Sequence, residues 1–284
     1  MSHLHTGPMD DVVAGAFVSA GPPPKAQQGY LRVVSWNIER GLQFSGILEF
    51  LTTAAADLIL LQEVDVNARR TRCRDVARDL AQALGMNYVF GTEFEELGAG
   101  SGGVPAHHGL ATLSPWPLSN GRVIRFRRQS SFWQPRWYVP KVALFQRRLG
   151  GRIALVCEAH VHNRRIAAYN LHLESKGADE LRRSQLRETL EDAHRYAEAC
   201  PVVIGGDFNL AAVDGEAAAA LRAARFRDAV ALPSTPTTVA GPSFKGARCI
   251  DWICVSGGVP VVGRICGDVR ASDHYPVTTT IAIS

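Results

Sequence analysis

No stretch of this chain approaches the ~18 consecutive apolar residues that a membrane-spanning helix requires, so no membrane span is expected. Its six cysteines, Cys73, Cys157, Cys200, Cys249, Cys254 and Cys266, include no Cys-x-x-Cys pair and follow no regular spacing. That absence speaks for reduced, mostly buried thiols and hence for a cytoplasmic protein. Val12 to Ala20 could pass for a short signal core, but Asp10 and Asp11 precede it where lysines belong, and export is not expected. The glycine-rich stretch from Leu97 to Ala106 lacks a Gly-x-Gly-x-x-Gly pattern, so it reads as a loop and not as a phosphate cradle.

Acidic residues are also missing from one long interval. None occurs between Glu96 and Glu158, whereas Arg122, Arg125, Arg127, Arg128, Arg136, Lys141, Arg147, Arg148 and Arg152 do, with Phe132, Trp133, Trp137 and Tyr138 among them. Two readings fit. Such a segment attracts a polyanion and offers aromatic faces for stacking against bases, with Arg136 and Trp137 as candidate substrate contacts. Alternatively, it is a pair of strands whose arginines face water while the aromatics pack inward.

What is present otherwise is ordinary for a globular protein: 284 residues, 46% hydrophobic, 20% charged, net charge +4. Residues 1–29 mix Gly, Pro, Ala and His without periodicity and read as a flexible lead-in; residues 30–284 read as one domain. Patterning predicts strands at Leu31–Ile38, Asp57–Leu61, Tyr88–Phe90, Ala167–Leu173, Ile250–Val255 and Val277–Ile283. Helices are expected at Ile47–Ala56, around Val76–Leu84 with Gly85 as its stop, at Asp179–Ala199 and at Ala217–Ala224. Lys141–Gln146 and Arg152–Glu158 bracket Gly150 and Gly151 as a hairpin.

The most informative stretch is Pro201 to Leu210, PVVIGGDFNL. A β-branched run suited to a doubly covered strand stops at two glycines and presents Asp207 and Asn209. Residues two apart in an extended chain share a face, so a carboxylate and a carboxamide point into one space. Such a pair can take a proton from water and hold the water or an oxyanion; an Asx turn at a strand end is the plainer alternative.

Together with SWNIE at Ser35–Glu39, LQEV at Leu61–Val64, IDWICVS at Ile250–Ser256 and SDHYP at Ser272–Pro276, GGDFN resembles the endonuclease/exonuclease/phosphatase superfamily, whose blocks occur in this order. The resemblance implies an α/β fold, a DNase I-like four-layer sandwich of two β-sheets flanked by helices, and a metal-dependent phosphodiesterase. It implies Glu63 as principal ligand of Mg²⁺, with Mn²⁺ as a substitute, supported by Asn37 and Asp273, with Glu39 as an acidic outer ligand. It implies Asp207 and Asn209 at the attacking water or the phosphate, His274 oriented by Asp251, and His172 at the scissile phosphate or leaving group. Asn170 shares a strand face with His172, and His108 sits on a strand behind the site, so both are possible substrate contacts. HLESKG followed by a helix is similar to the tyrosyl-DNA phosphodiesterase branch. The inositol 5-phosphatase branch carries Trp-Cys-Asp-Arg where this chain has Arg248–Trp252, which argues against it; base-excision endonucleases tend to LQET rather than LQEV.

Nucleic acid is the leading substrate on the strength of the acid-free interval. The alternatives are a small or lipid-like phosphate ester and, outside enzymes, a catalytically silent binding protein of the same fold. No protein partner is indicated.

Overall fold

The computed structural model describes residues 12–17, 29–130, 132, 140, 144–196, 198–211, 215–230, 235–241 and 246–283. In chain order its elements are β1 (Val12–Ala16), β2 (Tyr30–Arg40), α1 (Phe44–Ala54), β3 (Leu58–Val66), α2 (Val76–Leu84), β4 (Asn87–Ser101), β5 (Val104–Ser114), β6 (Leu118–Arg125) and β7 (Arg148–Gly150). They continue as β8 (Ile153–Val161), β9 (Arg164–His172), α3 (Asp179–Ala193), β10 (Val202–Asp207), α4 (Gly215–Ala223), β11 (Arg227–Asp228), β12 (Asp251–Ser256), β13 (Val259–Ile265) and β14 (Val277–Ala282). One sheet of eight strands runs β1-β4-β5-β3-β2-β14-β13, with β7 beside β4; the other, of six, runs β11-β12-β10-β9-β8-β6.

Period-two patterning explains how these sheets stack. In β2, Leu31 and Val33 join the core between the sheets while Val34, Trp36 and Ile38 join the core with α1 and α2. In β10, Val203 faces the other sheet, and Val202 and Ile204 pack with α3 and α4. Each sheet thus has two apolar faces, and the result is a four-layer sandwich, helix/sheet/sheet/helix.

The same parity, carried to the strand ends, places the polar residues. Beyond Val33 the inward positions of β2 are Ser35 and Asn37; beyond Leu60 of β3 comes Gln62; beyond Ala168 of β9 come Asn170 and His172; beyond Val203 of β10 come Gly205 and Asp207. β2 and β3 run parallel, as do β9 and β10, so these ends gather at one edge of the sandwich. β12 and β14 run antiparallel to β10 and β2 and begin at that edge, bringing Asp251 and the residues just before Val277 to it.

Two glycines let the central strand sit there. A Cβ on Gly205 would lie 2.7 Å from Leu60 Cδ1 of the facing sheet, and one on Gly206, at φ +152°, would lie 2.0 Å from the Leu171 carbonyl oxygen. The second is a backbone collision that no rotamer relieves. Gly206→Ala is therefore expected to destabilise the fold by roughly 2–4 kcal/mol, read as a lower Tm in a thermal melt; an unchanged Tm would show that the strand pair opens without cost.

Several expectations are corrected. The glycine-rich stretch 97–106 is no irregular loop: β4 and β5 pair to its tip, Ser101 opposite Val104. Gly102 and Gly103 both have positive φ, as a tight two-residue hairpin turn demands. The hairpin expected across Gly150 and Gly151 does not form. β7 pairs with β4 in one sheet and β8 lies between β6 and β9 in the other, so the chain changes sheets at these glycines. α1 starts and stops a few residues before its predicted bounds, and α3 stops at Ala193, short of Ala199. Within the presumed lead-in, Val12–Ala16 form an edge strand paired with β4. Cys157, Cys254 and Cys266 are buried and Cys73 is exposed. Among the described residues no helix is long and apolar enough to cross a membrane.

Candidate active site

At the polar edge the groups converge on one carboxylate. Asn37 Nδ2 donates to Asp207 Oδ2 at 3.2 Å, and the Nε2 atoms of His172 and His274 lie 3.6 and 3.7 Å from the same oxygen. The sheet register enforces this, since Asp207 pairs with His172 on one side and Asp251 on the other. Asp207 Oδ1 accepts the Asn209 backbone N–H at 2.9 Å, the turn anticipated from sequence, and Asn209 Nδ2 donates to the Leu173 carbonyl at 3.2 Å. Asn209, at φ +50°, thus holds Asp207 and the end of β9 together.

His274 is fixed from three sides. Its Nδ1 lies 3.0 and 2.9 Å from the two Asp251 oxygens, its carbonyl accepts from Trp36 Nε1 at 2.9 Å, and its N–H donates to Ser272 Oγ. Ser272 in turn donates to the Asn37 carbonyl at 2.6 Å, tying the loop to β2. Burial alone would discharge the His274 ring, but the Asp251 carboxylate, helped by Asp207 and Asp273, outweighs it and holds the imidazole pKa well above its ordinary value. Sequence reasoning missed Thr237, whose Oγ1 accepts the N–H of Asp251 and secures the partner of His274.

Glu63 reaches the site through a β-bulge. Leu61 pairs with Ala111 and Val64 with Gly109, so Gln62 and Glu63 together oppose Leu110. Glu63 takes φ +52°, and the irregularity re-aims its side chain. Burial works against its charge, but its cationic neighbours, Arg40 first, overcome it and hold the carboxyl far below the usual range. Glu39 behaves oppositely: burial first, then the charge of Asp273 and, against Arg40, that of Glu63, raise its pKa.

Two candidate contacts are corrected. Asn170 is fully buried and bridges the sheets: Nδ2 donates to the Leu61 and Ala111 carbonyls, and Oδ1 accepts from Gln62 Nε2. Both its amide nitrogen and its amide oxygen are thus engaged within the protein. His108 is buried too, its Nδ1 on Asp65 at 2.9 Å and its Nε2 4.0 Å from Glu93. Arg136 and Trp137 lie outside the described residues.

The acid-free interval is less bare in space than in sequence. Arg122 pairs with Asp192, Arg148 with Glu96 at 2.6 Å and Arg152 with Glu93 at 3.1 Å, while Arg125 donates to the Thr92 and Gly151 carbonyls. Arg127, Arg128 and Arg147 remain exposed. The charged residues of α3 are not all a solvated face either. Arg182 is buried and donates to the Glu174 and Ser175 carbonyls, and Gln185 accepts the Glu174 N–H, so α3 clamps the loop that follows His172.

Among the described residues, Asp207, Asp251 and His274 form the one group of three His, Cys, Asp or Glu side chains whose ligand atoms lie within 4.8 Å of one another. Both Asp251 oxygens face the His274 ring, which describes a carboxylate–imidazole dyad better than a cation site. A hard divalent ion prefers oxygen donors. Burial first, and after it the charges of Asp273 and Glu63, raise the Glu39 pKa, and such an ion would relieve the part that those charges contribute.

The chain belongs to the endonuclease/exonuclease/phosphatase family, whose pattern matches residues 34–274. It is a family of hydrolytic phosphoesterases, generally dependent on a divalent metal. Among solved structures, an endonuclease/exonuclease/phosphatase from Beutenbergia cavernae is similar at 19% identity and TM-score 0.67, over 90% of this chain and 72% of that one. The human Nocturnin catalytic domain with bound sulfate anion is similar at 18% identity and TM-score 0.64, over 97% and 98%. Humanized D. rerio TDP2 is similar at 17% identity and TM-score 0.62, over 89% and 99%. At these identities the likeness is one of fold. No curated protein matches the chain.

Proposed function

We propose that this protein is a Mg²⁺-dependent phosphodiesterase that hydrolyses nucleic acid, within strands or at their ends. The observation that carries this reading is the convergence of Asn37, His172 and His274 on Asp207 Oδ2. A phosphodiester is an anion, so an attacking water must be both aimed and relieved of a proton while charge on the phosphate is neutralised. Asp207, its orientation fixed by Asn37 and the Asn209 N–H, accepts the proton or aims the water. His274, kept charged by Asp251, donates to a non-bridging oxygen. His172 donates from the opposite side, since the two rings flank the same carboxylate. Glu63, with Asp273, Glu39 and Asn37 beside it, would hold the divalent ion, whose chemistry is to neutralise charge on the leaving oxygen.

Nucleic acid is favoured by what borders His172. The Ser130 N–H donates to Glu174 Oε2, docking the start of the arginine- and aromatic-rich segment on the loop after β9. Phe132 there is 65% exposed, and Lys176 Nζ lies 5.8 Å from its ring centre. An exposed ring beside a cation is a platform for a base and its phosphate.

The test is Mg²⁺-dependent hydrolysis across single-stranded, duplex and abasic DNA, 5′-tyrosyl DNA, RNA, bis-p-nitrophenyl phosphate, sphingomyelin and a phosphoinositide. Cleavage of a nucleic acid is expected; cleavage confined to lipids or small esters would overturn the substrate assignment. In the same assay Glu63→Ala should raise the Mg²⁺ concentration for half-maximal rate by at least about tenfold. Unchanged metal dependence would remove Glu63 from the metal site.

A further inference from the structure

We infer that Arg152 is a positioning residue that fixes the tautomer of His172, keeping its ring proton on Nε2, toward Asp207. Arg152 lies in the turn entering β8, is 3% exposed, and is not among the residues that the family blocks single out. Its Nη1 lies 2.9 Å from His172 Nδ1 and 3.1 Å from Glu93 Oε1, and its Nη2 donates to Ser175 Oγ at 3.2 Å. A guanidinium has donors and no acceptor. A ring nitrogen 2.9 Å from it must therefore accept, since two N–H groups cannot point at each other along that line. The two hydrogens of Nη1 divide between Glu93 and His172.

The competing partner is Glu93, whose Oε2 lies 3.5 Å from the same Nδ1. Alone, a buried carboxylate there would draw a proton onto Nδ1 and make His172 resemble His274, whose Nδ1 faces Asp251. Arg152 prevents this by occupying the acceptor position and by pairing with Glu93, whose carboxyl is held down to about 2, against burial, by Arg152 first. The two imidazoles flanking Asp207 are thus set to different states by their outer partners: a carboxylate behind one, a guanidinium behind the other. His172 accepts at Nδ1 and presents its N–H donor on the Asp207 side.

The inference takes from the proposed reaction only that His172 faces the substrate, and its primary test needs no substrate. In full-length protein labelled with ¹⁵N-histidine, a two-bond ¹⁵N–¹H correlation spectrum at neutral pH, with His172 assigned by its loss in His172→Gln, should show Nδ1 unprotonated and Nε2 protonated. A proton on Nδ1, or on both nitrogens, would overturn it. Arg152→Lys, which keeps a donor-only cation, should retain the pattern. Arg152→Gln should move the proton to Nδ1 and lower kcat for bis-p-nitrophenyl phosphate about ten- to a hundredfold, with KM little changed. Should Arg152→Gln not fold, the wild-type spectrum still decides. If no phosphodiester is cleaved at all, the proposed reaction fails while the tautomer stands or falls by itself.

Discussion

Replacing Asp207 with Ala is expected to lower kcat roughly 10²–10⁴-fold, the range that loss of a positioned proton acceptor produces, on whichever phosphodiester the wild type cleaves. The side chain is 3% exposed, and its two oxygens do different work. Oδ1 accepts the Asn209 N–H and fixes the strand end; Oδ2 faces Asn37, His172 and His274. Asp207→Ala leaves the Asn209 N–H without its partner, at a cost of about 1–3 kcal/mol if water does not replace it, so Tm must be measured beside rate. Asp207→Asn separates the two effects, because an amide oxygen can still accept from Asn209 while the other position loses its basicity. Both variants should lose activity; the second keeps the Asn209 contact but sets an amide nitrogen against the Asn37 donor, so it should melt below the wild type as well. If Asp207→Ala retains more than about a tenth of wild-type kcat, against the expected loss, the carboxylate is not the proton acceptor and the reading of the site fails.

Most of that site was legible before any coordinates. Asn37, His172, Asp207 and Asp251 lie on strands whose apolar residues alternate, and alternation states which side chains face inward together. The opposing sheet's contribution could only be reached through the family resemblance, since nothing local to Ser272–Pro276 says that Trp36 will hold its backbone. Where sequence reasoning erred, the reason is the same in each case: a local feature was settled by a distant partner. The acid-free interval looked like a basic surface because Glu93, Glu96 and Asp192, which neutralise Arg152, Arg148 and Arg122, come from β4 and α3. Asn170 looked like a companion of His172, on the same face, yet the facing sheet engages both its amide nitrogen and its amide oxygen. Glu63 is a different case: it was named from the resemblance and not from the pattern, because it lies on a bulge, which inverts the parity that placed its neighbours. Gly150 and Gly151 read as a hairpin turn because a change of sheet and a tight turn ask the same of the backbone.

Asp251→Asn should lower kcat by about 10³–10⁴-fold, as loss of the carboxylate behind a catalytic imidazole does elsewhere, and should also move the pH profile. His274 is buried, which disfavours its charged form, and only the carboxylates of Asp251, Asp207 and Asp273 reverse that. Its pKa in the folded state lies above the unfolded value of about 6.5, so the folded protein binds this proton more tightly. The stability that this contributes is complete below the unfolded pKa and is lost as pH rises through the folded one. In the wild type both the charge on His274 and its share of stability therefore persist through neutral pH and fall away only under alkaline conditions. With Asn at 251 the largest stabilising charge is gone, burial dominates, and the His274 proton is lost at lower pH. The alkaline limb of kcat/KM should accordingly shift toward neutrality in Asp251→Asn, and the variant's deficit in Tm should be largest at neutral pH and shrink in the alkaline range where the wild type has lost the same proton. An alkaline limb at the wild-type position would mean that another group sets it, and that His274 acts by position and not by charge.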